Sequence, residues 1–138
     1  MSTVGMGRRR RPRNERTRTP QSKPRHRRSQ MSATELIVFV TVPSRDAGER
    51  IAETLVGEQI AACVNVVGPI RSIYRWQGEL CRDDEHLLLI KTTRARYAAL
   101  EARVKALHSY EVPEVVAVPI ELGSAGYLEW IRSVAGDQ

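Results

Sequence analysis

Apolar residues run almost without a break from Leu36 to Val42, many of them β-branched, and stop at Pro43; that length and composition predict a buried strand. In the next stretch, SRDAGERIAETLVGEQ, the period changes. Ala47, Ile51 and Leu55, with Ala52 and Val56 beside them, fall on one stripe of a helix. Ser44 or Asp46 can cap its start, and Glu49 stands three after Asp46, as a capping box requires. Alternation returns in AACVNVVGP, from Ala62 to Val67, and predicts a second strand ending at Gly68-Pro69. As a strand, IRSIYRWQGELC places Tyr74 and Trp76 on one face and Ile73 and Arg75 on the other, with Gln77-Gly78 as a hairpin turn. The acidic patch RDDE then leads into another strand, HLLLIKT.

Helical spacing resumes in TRARYAALEARVKALHSY, where Tyr97, Leu100, Val104 and Leu107 share a face and Ala98, Ala99, Ala102 and Ala106 add propensity. VPEVVAVPI reads as a last strand, and Pro113 and Pro119 confine it to short pairing or to a sheet edge. SAGYLEWIRSV starts at a capping Ser124 and carries Tyr127, Trp130, Ile131 and Val134 as a short helical face. The order βαββαβ, followed by α, predicts an α+β fold of the ferredoxin-like, split βαβ kind: an antiparallel sheet with both main helices on one side. The other side and the apolar edges then need cover, and self-association is one solution.

Charge divides the chain. Residues 1–30 hold eleven of the 22 basic residues and only Glu15 of the 16 acidic ones, so they carry +10, and the rest, eleven basic against fifteen acidic, carries −4. The basic segment has almost no apolar residues and is interrupted by Pro12, Pro20 and Pro24, so residues 1–32 are expected to be a disordered tail and residues 33–138 the folded domain. No apolar region follows the arginine run as an export signal needs, and no stripe suits a transit helix. The tail is either a polyanion-binding arm, the one route to nucleic acid, or an extension ahead of an alternative start at Met31. Cys63 and Cys81 fit neither a metal-ligand spacing nor a disulfide framework, which makes a reducing cytoplasm the default location. No run reaches the roughly 18 apolar residues of a membrane span.

Several stretches in one order carry a resemblance: LVGEQIAACVNVV, IRSIYRWQGEL, LLLIKTTRARYAALEARVKALHSYEVPEVVAVPI and YLEWI. Together they resemble the CutA family of divalent-cation tolerance proteins, from about Ile37 to Val134. The resemblance implies a ferredoxin-like subunit in a homotrimer, a soluble cytoplasmic protein, no enzymatic reaction, and a link to tolerance of Cu2+ or another divalent cation. Copper-binding members of that family have a cysteine where this chain has Val40 and a histidine pair where it has Leu107-His108, so His108 is the residue carried over.

His108, Glu111 and Glu114 are the candidate metal ligands, because imidazole and carboxylate suit a borderline divalent ion. The competing reading makes His108 the end of a helix and pairs the glutamates with arginines. Asp83, Asp84, Glu85 and His86 form a second group, read as an exposed acidic turn or as a weak site for a hard ion. Neither a catalytic constellation nor an organic-cofactor motif is visible. The alternative to a metal-tolerance trimer is a PII-like sensor or interaction module, with Arg71, Arg75, Lys91 and Arg94 receiving an anion.

Overall fold

In the computed structural model, which describes residues 34–136, the first apolar run is β1 (Glu35–Val42) and the first helix α1 (Arg45–Gly57). Two long strands follow, β2 (Cys63–Trp76) and β3 (Glu79–Thr93). A single 3₁₀ turn leads into α2 (Tyr97–Leu107). The short β4 (Val116–Pro119) and α3 (Ala125–Ala135) complete the chain. The strands lie in the order β2-β3-β1-β4, and every neighbouring pair is antiparallel. This is the expected split βαβ arrangement; the arginine-rich tail lies outside the described residues.

Alternation along β1 decides where the core is. Leu36, Val38, Val40 and Val42 point to one side and pack against Ile51 and Leu55 of α1, Leu100 and Val104 of α2, and Leu88 and Ile90 of β3. Burying each such side chain contributes roughly 1.5–3 kcal/mol, which holds both helices on this face. Ser44 is the cap of α1: its Oγ accepts from the Ala47 N–H at 3.1 Å. Glu49 pairs with Arg45 at 2.9 Å rather than closing a capping box. The buried stripe is Gly48, Ile51 and Leu55, while Val56 stays 38% exposed. Gly48 belongs to the stripe because α1 lies close on the sheet: a Cβ there would sit 3.1 Å from both Leu88 and Val42.

Gly68-Pro69 does not end a strand. β2 continues through it, with a register shift between Val67 and Ile70. Gly68 has φ +156°, and a Cβ on it would fall 2.6 Å from the His86 ring, so only glycine lets the ring lie this close. Asp83 to His86 are correspondingly part of β3 and not a turn. β1 pairs with β3 only as far as Val42 and His86, whereas β2 and β3 remain paired from Ile70–Glu85 to Trp76–Glu79. They form a ribbon that overhangs the sheet. Gln77 (φ 53°) and Gly78 (φ 84°) turn its tip, as the primed hairpin turns require.

The sheet face opposite α1 and α2 is covered at one end by α3. There Thr93 Oγ1 donates to the Ala135 carbonyl at 2.6 Å and Arg132 pairs with Glu35 at 2.7 Å. Elsewhere this face presents Phe39, Leu87 and Leu89 half-buried, with Val67 at 41% and Val116 at 51% exposure.

Candidate functional site

The segment after α2 is tied to the sheet by two residues, His108 and Tyr110. His108 caps the helix, its N–H donating to the Val104 carbonyl at 2.9 Å. Its ring turns away from the helix. Nδ1 accepts from the Tyr110 N–H at 3.1 Å, which leaves the proton on Nε2, and Nε2 donates to the Thr41 carbonyl at 2.7 Å. Tyr110 then reaches β3, where its hydroxyl donates to Glu85 Oε2 at 2.6 Å. Burial pushes the Tyr110 hydroxyl pKa up, and the bond to Glu85 adds to the effect.

Below the ribbon these groups frame a pocket of about 580 Å³. Glu85, Glu111 and Glu114 supply carboxylates; Tyr74, Trp76 and Tyr110 supply aromatic walls; Thr41, Ser72, Ile73 and Val112 fill the gaps. Among the described residues, no lysine, arginine or histidine lines it. Glu85 is 6% exposed, its Oε2 accepts from Tyr110, and it forms no ion pair among the described residues. On the ribbon, Tyr74 donates its hydroxyl to Asp83, and that bond pushes its pKa up to about 12.

The candidate ligands are thus partly brought together. Glu111 and Glu114 share the pocket, whereas His108 does not line it and holds the loop with both ring nitrogens. The described residues contain no group of three or more His, Cys, Asp or Glu side chains gathered to hold an ion; the three carboxylates ring the pocket. Neither Glu111 nor Glu114 is among the ion pairs of the described residues, so pairing with arginine does not account for them. The expected acidic turn is corrected too: strand alternation sends Glu85 inward, and Asp84 pairs with Arg71 at 2.9 Å.

Arg71, Arg75 and Lys91 do not converge on an anion site. Arg71 stands opposite Asp84, Arg75 bonds the Gly78 carbonyl at the tip at 3.1 Å, and Lys91 donates to Asn65 far along β3. Sequence reasoning missed Glu85 and Tyr110 as a pair. The one available signal was the parity of Asp83 and Glu85, legible only once RDDE is placed in a strand.

The CutA1 divalent ion tolerance protein family matches residues 36–134. A divalent-cation tolerance protein CutA of Thermus thermophilus is 53% identical over 102 residues, covering 74% of this chain and 99% of the relative. Its solved structure superposes with a TM-score of 0.72. A chloroplastic CutA 1 protein of rice is 48% identical over 98 residues, 71% of this chain, which span 55% of the rice protein. The solved rice CutA1 structure gives a TM-score of 0.72 at 46% identity and covers 75% of this chain and 94% of that one.

Proposed function

The chain belongs to the CutA1 divalent ion tolerance protein family, and on that premise we propose that it is a homotrimer that binds divalent cations in the pocket below the β2–β3 ribbon. The observation that carries the reading is the pocket's acidic lining: Glu85, 6% exposed, shares it with Glu111 and Glu114, and none of the three forms an ion pair among the described residues. An ion entering there meets carboxylates on several sides of the pocket. The donors available are oxygens, which suit hard ions such as Mg2+ and Mn2+ that keep part of their water shell. Carboxylates spaced around a pocket fit a hydrated ion better than a bare one. Capture of Cu2+ through imidazole would require His108 to give up one of the two bonds that hold the loop.

Self-association is supported by the half-covered sheet face and by the ribbon. A two-stranded ribbon has little stability alone, and this one exposes Ile73 at 62%, Trp76 at 42% and Leu80 at 52%. Packing against other copies buries these groups; three copies is the number implied by the family resemblance. The function is one of binding, with no covalent step assigned to any residue.

Mn2+ titration of the full chain tests the reading. We expect a melting temperature that rises with Mn2+ concentration by mass action, a rise lost in Glu111→Gln/Glu114→Gln, and a light-scattering mass of three chains. An equal rise in the double variant rejects the pocket as the site, and a single-chain mass rejects the assembly.

A further inference from the structure

We propose that His108 is a proton-operated latch: on taking up a second proton its ring lets go of Tyr110 and frees the loop that carries Glu111 and Glu114. For its consequence the latch rests on the cation-binding reading of the pocket, and it adds a control on that site. Every bond it uses lies within one chain, so it stands whatever other copies cover. The loop, residues 109–115, runs from the end of α2 to the start of β4. None of its backbone groups bonds to other backbone among the described residues. Side chains attach it instead: His108 Nε2 holds the Thr41 carbonyl, His108 Nδ1 the Tyr110 N–H, Glu85 the Tyr110 hydroxyl, and the Tyr97 hydroxyl the Val115 carbonyl at 3.4 Å.

The imidazole is the member of this set that a proton reverses. Histidine changes its charge between about pH 5 and pH 8. The neutral ring accepts from the Tyr110 N–H through a bare Nδ1, whereas in the protonated ring both nitrogens are donors. Nε2 then keeps the Thr41 carbonyl, while Nδ1–H points at the Tyr110 N–H, donor against donor at 3.1 Å. The Tyr110 backbone moves off, its hydroxyl leaves Glu85, and the loop retains the Tyr97 bond at its far end. The titratable groups on the elements that meet the ring are Tyr110 and Glu111 of the loop, Glu85 of β3 behind Tyr110, and Lys105 in the last turn of α2, which Glu101 holds at 2.8 Å; β1 offers the Thr41 carbonyl. Glu111 and Glu114 ride on the loop, so the pocket gives up two of its three carboxylates when the latch opens. An ion is then released above the range near pH 4 in which ordinary carboxylates themselves take up protons.

The test follows nuclear magnetic resonance signals of the assembled full chain, free of metal, from about pH 8 to pH 5. The Tyr110 amide signal is expected to leave its folded position in step with the His108 ring signal, while the amides of Val38 and Val40 in β1 stay in place. In His108→Asn the side-chain oxygen accepts from the Tyr110 N–H at every pH, so the Tyr110 amide should not move; Val38 and Val40 amides at their parent positions show that the variant has folded. A Tyr110 amide that stays while the ring titrates, or a ring that does not titrate by the end of the range, overturns the latch. In a second arm, Mn2+ affinity of the parent is expected to fall at least about tenfold from pH 7.5 to pH 5.5, and that of His108→Asn by less than about threefold. Equal pH dependence in the two proteins overturns the control on the site and leaves the metal reading standing. Absence of Mn2+ binding at both pH values overturns the metal reading, and the metal-free signals still decide the latch.

Discussion

Tyr110 donates its hydroxyl hydrogen to Glu85 Oε2 at 2.6 Å, joining the loop after α2 to β3 across a separation of 25 residues. This is the sole hydrogen bond that the Glu85 carboxylate receives among the described residues, and Glu85 is 6% exposed. Tyr110→Phe therefore leaves a buried carboxylate without a donor. The expected cost is about 1–3 kcal/mol, read as a lower denaturation midpoint with an unchanged slope. Glu85→Gln keeps an acceptor for Tyr110 and removes the charge, so it should cost less than Tyr110→Phe. A midpoint in Tyr110→Phe equal to that of the parent would show that the bond contributes nothing.

Gly68 is predicted to resist any side chain. Its φ of +156° lies where other residues are strained, and a Cβ would meet the His86 ring at 2.6 Å. Gly68→Ala should destabilise by about 1–3 kcal/mol. Faster amide exchange is expected first in the ribbon residues Ile70 to Trp76, next to the register shift, with the core of β1 affected last. Uniform exchange across both regions would argue that the bulge has no local role.

Glu35 links acid stability to α3. Burial works against its charge, but the hydrogen bonds from Thr34 and Arg132 and the charge of Arg132 outweigh it, so its carboxyl titrates below the usual range. A carboxyl depressed in the folded state adds stability above its unfolded pKa, and that stability is lost as pH falls through the folded value. Arg132→Ala should therefore be less stable than the parent near neutral pH, with the difference shrinking as pH drops below about 4. Because Arg132 is 48% exposed, solvent screening keeps the effect modest. A difference that stays constant from neutral to acid pH would assign the loss to packing.

Tyr74 carries the opposite sign. Its bond to Asp83 pushes the phenol pKa up to about 12 from an ordinary 10.0. Stability from this contact is complete below the ordinary value and is lost as pH rises through the folded one. An ultraviolet titration of phenolate absorbance should show one tyrosine ionising earlier, toward the ordinary value, in Asp83→Asn. Superimposable titrations of the variant and the parent would remove the contact from consideration.

The sequence by itself determined the elements and their order. Periods of two and of three to four come from side-chain geometry within one strand or helix, so the apolar runs at Leu36–Val42 and Leu100–Val104 declare their type without help from the rest of the chain. Turn chemistry was local too, as Gln77-Gly78 and the Ser44 cap show. Only the tertiary structure decided that Gly68-Pro69 interrupts β2 without ending it, because that depends on a ring from the paired strand filling the space above a glycine. The pocket is of the same kind. Glu111 and Glu114 could be picked out as residue types, but their meeting with Glu85, and the withdrawal of His108 into the support of Tyr110, depend on how α2 and β3 lie on β1. Contacts between residues far apart in sequence leave no period in the chain, and burial, which takes Glu85 from the surface to the wall of the pocket, belongs to the packed molecule alone.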